Sequence, residues 1–189
     1  MKAATGQGGA VRRRDLLVAV LAPLAVSNLA MAQARPPALK TRSISTTHFR
    51  IEIPEKDWRL MPGGLNTLGV LAQKDGAAAI VIEHEMLQIA LKPEEVDATF
   101  VEIESTTIKE RETAGSGFIA RIDPNGSRRA VIDFQRRAAA GTEQVRVVVL
   151  VNGKHLYRLI AVALQSQFAR YEQVFQSAAA SFTPLDPAS

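Results

Sequence analysis

The sequence predicts an α+β domain: an α/β/α sandwich with a central, twisted antiparallel sheet. Three observations carry that expectation. Short segments alternate apolar and polar residues and are separated by Asp-Gly and Asn-Gly pairs, the signature of strands joined by tight turns. Two other segments repeat apolar residues at three- and four-residue spacing, as amphipathic helices do. Finally, Val147, Val148, Val149, Leu150 and Val151 are consecutive, and the stretch 156–164 is nearly as apolar. Strands apolar on both sides need cover on both sides of their sheet, and the two helices, or one helix and the segment that leads into the domain, are available to cover it.

The elements follow in order. Arg12, Arg13 and Arg14 precede an apolar stretch, 16–26, broken only by Pro23, and Ala30-Met31-Ala32 then forms an Ala-x-Ala cleavage site. That order is a secretory signal peptide over 1–32, and its apolar run is shorter than the roughly 20 residues of a membrane-spanning helix. Arg13-Arg14-Asp15-Leu16-Leu17 resembles a twin-arginine signal, so twin-arginine export stands beside the general secretory route. Either delivers the chain to the periplasm of a bacterial envelope, with no transmembrane segment after cleavage. The whole chain carries 23 Lys plus Arg against 19 Asp plus Glu, a net charge of +4. Cleavage after Ala32 removes four of those bases and one acid, which leaves a nearly neutral protein and removes the main argument for a nucleic-acid partner.

Residues 33–47, with Arg35-Pro36-Pro37 and a Ser/Thr cluster, read as an extended leader. A single domain over 48–184 and a tail, 185–189, follow. Phe49, Ile51 and Ile53 alternate with Arg50 and Glu52 in a half-buried strand that Pro54 ends, and Trp58 and Leu60 suggest a short continuation. Segments 65–74 and 77–86 flank Asp75-Gly76 and should pair as a hairpin. Pro93 fits a first helical position, with Val96, Phe100, Ile103 and Thr107 expected along one helical face and Gly115 and Gly117 beyond its end. Segments 117–123 and 128–136 flank Pro124-Asn125-Gly126; with Asn125-Gly126 as a two-residue turn, Asp123 would face Arg128. Segments 144–151 and 154–164 flank Asn152-Gly153, a strong hairpin signal. Phe168, Tyr171, Val174, Phe175, Ala178, Ala179 and Phe182 mark the buried face of a C-terminal helix and the residues just past it.

Catalytic and cofactor patterns are incomplete. There is no cysteine, hence no disulfide, thiolate metal site or cysteine nucleophile. His84-Glu85-Met86-Leu87-Gln88 opens like a zinc-protease motif but ends in Gln. Asp123, Asn125 and Ser127 have the opening spacing of a calcium loop, but Arg128 and Phe134 stand where glycine and glutamate belong. No phosphate loop, nucleophile elbow or dinucleotide-binding glycine pattern occurs. No catalytic residue, metal ligand or cofactor is therefore assigned. A rival reading keeps Glu83, His84, Glu85 and His155 as dispersed contributors to a metal-dependent or other enzyme, and a periplasmic lipid- or small-ligand-binding domain is a third possibility. Charge is polarised: 93–112 is acidic and 121–158 basic. Arg128, Arg129, Arg136 and Arg137 form a candidate patch for an acidic partner or an anionic surface.

Phe49-Arg50-Ile51-Glu52-Ile53-Pro54 followed by Asp57-Trp58 resembles the first strand and Pro-x-x-x-Trp turn of PsbP-like proteins. Ala169-Arg170-Tyr171 through Phe175-Gln176 to Ser181-Phe182 resembles their C-terminal helix and Ser-Phe ending. The resemblance spans 49–184 and implies an α/β/α sandwich in a superfamily that includes the extrinsic photosystem II protein and DcrB-like envelope proteins. Members mainly bind, stabilise or assemble other proteins, and they share no catalytic residue set. The calcium and manganese linked with the photosystem relatives have no ligands that match residues here. The expected function is thus a non-catalytic accessory protein that binds a protein or complex of the cell envelope.

Overall fold

The computed structural model describes residues 40–124 and 128–185, all within the unit Ala38–Ser189. The signal peptide, the Asn125-Gly126 turn and most of the tail lie outside the described residues. Within the leader, Thr41–Ser45 forms β1, antiparallel to β2 (Phe49–Pro54). Strand β2 buries Phe49, Ile51 and Ile53 and exposes the residues between, as its alternation requires. Strand β9 (Thr183–Pro184) pairs with its other side, giving a small sheet of order β1-β2-β9.

The larger sheet has the order β3-β4-β5-β8-β7-β6, antiparallel throughout. Trp58 does not continue β2: it begins β3 (Trp58–Pro62), in the other sheet. Strands β4 (Thr67–Gln73) and β5 (Ala78–Leu91) form the expected hairpin. Gly76 there takes a left-handed φ of 74°, and the Asp75 carboxylate accepts the Ala77 N–H at 2.9 Å.

Helix α1 spans Ala98–Arg111 and starts later than Pro93. Pro93 instead opens a short 3-10 turn, Pro93–Glu95. The cap is Asp97, whose carboxylate accepts the Phe100 N–H at 2.9 Å. Its fully buried residues are Val101, Glu104, Ser105 and Ile108; of the expected face, Val96 is buried just before the helix and Phe100 packs partly buried against the same core, but Ile103 is 59% exposed. Glu104 belongs to that inward face because its two oxygens accept from the buried Arg158. Strands β6 (Gly115–Ile122) and β7 (Ala130–Ala138) pair with Ile122 opposite Ala130. The Asp123 N–H donates to the Arg129 carbonyl, so the hairpin loop is longer than two residues and Asp123 lies opposite Arg129, not Arg128.

Strand β8 is a 24-residue run, Gly141–Leu164, that fills two lanes. Residues 141–149 pair with β7 and 153–163 with β5. A straight strand of that length would reach about 80 Å, whereas a chain of this size compacts to a radius of gyration of about 15 Å. The side chains also change faces: Val145, Val147, Val149 and Val151 join the core under α1, while Tyr157, Leu159, Ala161 and Ala163 join the core under α2. A fold-back at Asn152-Gly153 produces that reversal. Gly153 has φ 61°, and Val147 meets Arg158 and Ile160 around one small cavity.

Helix α2 (Gln165–Ser181) buries Phe168, Tyr171, Val174, Phe175 and Ala178, the predicted face. Trp58 meets Tyr171 and Phe175 edge-on. Two cores therefore sit on the two faces of the large sheet: α1 covers one, and α2 together with the small β1-β2-β9 sheet covers the other. The architecture is the expected α+β sandwich, with the leader strand sharing the cover on the α2 side.

Candidate functional site

Strand alternation decides where the four candidate arginines go. The even residues Ala130, Ile132 and Phe134 of β7 face α1, and Val131 faces α2. Arg136 follows the α1 side and bonds Glu112 at 3.1 Å and Glu143 at 2.9 Å. Burial opposes its charge, but those two carboxylates outweigh it and raise its pKa. Arg128 donates to the Glu94 carbonyl, at 3.3 Å. Arg129 lies on the α2 side and donates to the carbonyl of Ala179 in the last turn of α2. That turn contains no basic residue of its own, so Arg129 supplies the cation its negative end favours. Burial lowers the Arg129 pKa, and Asp123 partly offsets this. Arg137 sits on an exposed stretch of β7. The structure does not bring the four into one patch.

The cavity beside Arg129, about 650 Å³, has Val131, Val148 and Phe175 in its wall with Arg121, Arg146 and Glu172. Its charges are already matched: Asp133 accepts from Arg121 at 2.6 Å and from Arg146 at 2.7 Å, and Glu172 accepts from Arg146 at 3.0 Å.

The dispersed metal set is also divided. Glu83 bonds Arg111 of α1 at 3.1 Å. Glu85 bonds Arg158 at 2.6 Å. His84 and His155 occupy the opposite face, where His84 Nε2 lies 2.9 Å from His155 Nδ1. Their near-parallel rings have centroids 5.1 Å apart, the spacing of an edge-on contact in which one imidazole donates and the other accepts. Burial, then the neighbouring His155 and His48, lowers the His84 pKa. Among the described residues, no three His, Asp or Glu side chains are grouped to hold a metal.

The exposed apolar side chains have no pattern in the sequence that marks them. Among the described residues the large ones are Leu65, Met86, Ile89, Ile103, Ile119 and Ile122, and they fall into two groups of three. Ile103, Ile119 and Ile122 lie on α1 and β6, the outermost strand. Between α1 and β6 runs an open groove of about 510 Å³, lined by Val101, Ser105, Lys109, Ala120 and Ile122. By alternation Ile119 faces the other side of the sheet. Among the described residues no strand pairs with the outer edge of β6.

That edge is thinly guarded. Natural edge strands carry charge, proline or bulges that deter further pairing. In β6 the one charged residue, Arg121, is bound to Asp133. A register shift between Ser116 and Ile119, with Gly117 at φ 65°, bends the first half and leaves 119–122 regular. The opposite edge differs: the guanidinium of Arg42 donates to the Trp58 carbonyl of β3 at 3.0 Å, and β3 ends in Pro62. The only sequence signal for the β6 edge was negative, since Phe118-Ile119-Ala120-Arg121-Ile122 lacks strict alternation. No helix among the described residues is long and apolar enough to cross a membrane.

No family model matches the chain, and no curated protein matches it. Among solved structures, the solution structure of cyanobacterial PsbP (CyanoP) from Synechocystis sp. PCC 6803 is similar, with a TM-score of 0.52 and 10% identity over 81% of this chain and 96% of that one. LpqN, described as involved in cell envelope biogenesis of Mycobacterium tuberculosis, has a TM-score of 0.48 and 13% identity over 77% of this chain and 90% of that one. The two layers that flank the large sheet and the 96% coverage of CyanoP agree with the resemblance in the first strand and last helix. The chain has a PsbP-like fold.

Proposed function

We propose that the chain is exported to the bacterial envelope and acts there as a non-catalytic accessory protein that binds another envelope protein. The observation that carries this reading is the outer edge of β6, which no strand among the described residues pairs with, with exposed Ile119 and Ile122 on its two faces and an apolar groove beside it. An extended segment of a partner can hydrogen-bond along such an edge while its side chains enter the groove. Residues 1–32 support the export, since they have the order of a secretory signal. The PsbP-like resemblance supports binding over catalysis.

Ile119 replaced by a photo-reactive amino acid in the exported chain tests the reading, with the same replacement at Arg59 on the far edge strand as comparison. A discrete protein adduct from position 119, absent from position 59, is the expected result. Adducts from neither position, or equally from both, would overturn it. Substrate turnover by the purified chain would sink the non-catalytic part.

A further inference from the structure

The second exposed apolar group has a different setting. Leu65 is 96% exposed, Met86 61% and Ile89 68%, and all three lie at one end of the large sheet. The Asn66 carbonyl accepts the His84 N–H at 2.9 Å, which sets the β3–β4 loop against β5. Met86 lies opposite His155, and Leu91 opposite Gly153 in the β8 turn. Between those two pairings β5 bulges, and Ile89 is on the bulge. Strand β4 pairs with β5 only as far as Glu83, so beyond that point the chain overhangs its neighbour.

Cations gather at the same end. Lys92 follows β5 directly and Lys154 follows the β8 turn. Arg128 reaches the Glu94 carbonyl of the adjoining 3-10 turn. None of the three makes an ion pair among the described residues. His84 and His155 are here, with His48 close enough to act on His84 electrostatically. The acids of these segments are Glu85, Glu94, Glu95 and, opposite Arg129 in the hairpin that carries Arg128, Asp123. Glu85 is bound to Arg158, and the Glu95 carboxylate accepts the Lys92 N–H. Cations without an ion pair among the described residues thus surround three apolar side chains that reach into solvent, Leu65 from a loop and Met86 and Ile89 from the overhanging arm of β5.

We propose that this end of the domain docks on an anionic lipid surface, with Leu65, Met86 and Ile89 entering the headgroup boundary and Lys92, Arg128 and Lys154 meeting lipid phosphates. Apolar insertion and attraction of basic residues to anionic lipid are each weak and act together, as in other reversible membrane contacts. A protein partner would leave the tips unexplained, because the overhanging edge of β5 is broken by its bulge between Met86 and Leu91 and Leu65 lies on a separate loop, so no continuous groove or regular strand edge joins them.

The test is sedimentation with vesicles, using the chain from Gln33, which contains the whole unit Ala38–Ser189 without the apolar run of the signal. Vesicles are phosphatidylglycerol and phosphatidylethanolamine in equal parts, or phosphatidylcholine alone. Binding to the anionic vesicles that weakens with salt, and little binding to phosphatidylcholine, is expected. Each neutralisation among Lys92→Gln, Arg128→Gln and Lys154→Gln should weaken binding about fivefold. Leu65→Ser with Met86→Ser and Ile89→Ser should abolish it at unchanged circular dichroism, since these side chains are exposed. No binding to anionic vesicles, equal binding to both kinds, or binding indifferent to these substitutions would overturn the proposal. So would capture of one protein by a cross-linker at Leu65 in vesicle-free extract. Because the assay contains no partner protein, its outcome is independent of the reading of β6.

Discussion

The buried pair Glu104–Arg158 is the most demanding electrostatic feature of the fold, and Glu104→Ala probes it. Arg158 is 3% exposed and Glu104 6%. The glutamate accepts the arginine's Nε at 3.0 Å and Nη2 at 3.1 Å through its two oxygens, a bidentate contact between β8 and α1. Burial opposes the charge on Arg158, but Glu104 and then Glu85 outweigh it and hold the pKa up. Alanine would leave a buried guanidinium with Glu85 alone, on its more exposed side. Breaking a buried pair costs about 3–5 kcal/mol, and the remaining carboxylate puts this case at about 3 kcal/mol. In a domain of this size 1 kcal/mol moves Tm by about 2–4 °C, so Tm should fall by about 6–12 °C. Urea unfolding and calorimetry on the same preparations measure both quantities. Glu104→Leu with Arg158→Met should recover most of the loss, because a well-packed apolar pair avoids desolvating two ions. A loss under about 1 kcal/mol for Glu104→Ala would refute the reasoning that this pair locks α1 onto the sheet.

Two further outcomes follow from the geometry. His84 has its pKa lowered in the folded chain, first by burial and then by His155 and His48. The unfolded chain therefore binds that proton more readily, and the contribution of His84 is present above about pH 6.5 and lost as pH falls below it. His155→Gln should raise the His84 pKa in an NMR titration and flatten the acid limb of the stability curve; an unmoved His84 would contradict the imidazole contact. Gly153→Ala places a Cβ in open space but at φ 61°, so it should cost about 1–2 kcal/mol in urea unfolding through backbone strain alone. A neutral result would argue against the fold-back of β8.

The legible parts of the fold were those in which local chemistry and burial agree. Phe49, Ile51 and Ile53 alternate because one face of β2 is buried and the other is wet, and α2 buries the face its spacing marks. The Asp75-Gly76 turn was legible because glycine there is conformational necessity. Helix α1 was misread because its inward face contains Glu104: a charged residue looks like solvent until Arg158, far away in sequence, is placed against it. Asn152-Gly153 was readable as a turn although hydrogen bonding runs unbroken through it, since Gly153 also pairs with Leu91. The arginine patch was a one-dimensional reading of neighbours that alternation sends to opposite faces. Neither exposed apolar group was legible, because exposure of Ile119 depends on β6 being outermost in the sheet order. Topology of that kind is set by long-range pairing and leaves no local mark.

Whether β6 is the docking edge is read most plainly by amide hydrogen exchange. The chain from Gln33 would be exchanged alone and after addition to solubilised envelope proteins, with Gly115–Ile122 followed peptide by peptide. Exchange of the β6 amides should slow in the presence of those proteins while β3, whose edge Arg42 and Pro62 guard, is unchanged. Unaltered exchange along β6, or slowing confined to another surface, would contradict it.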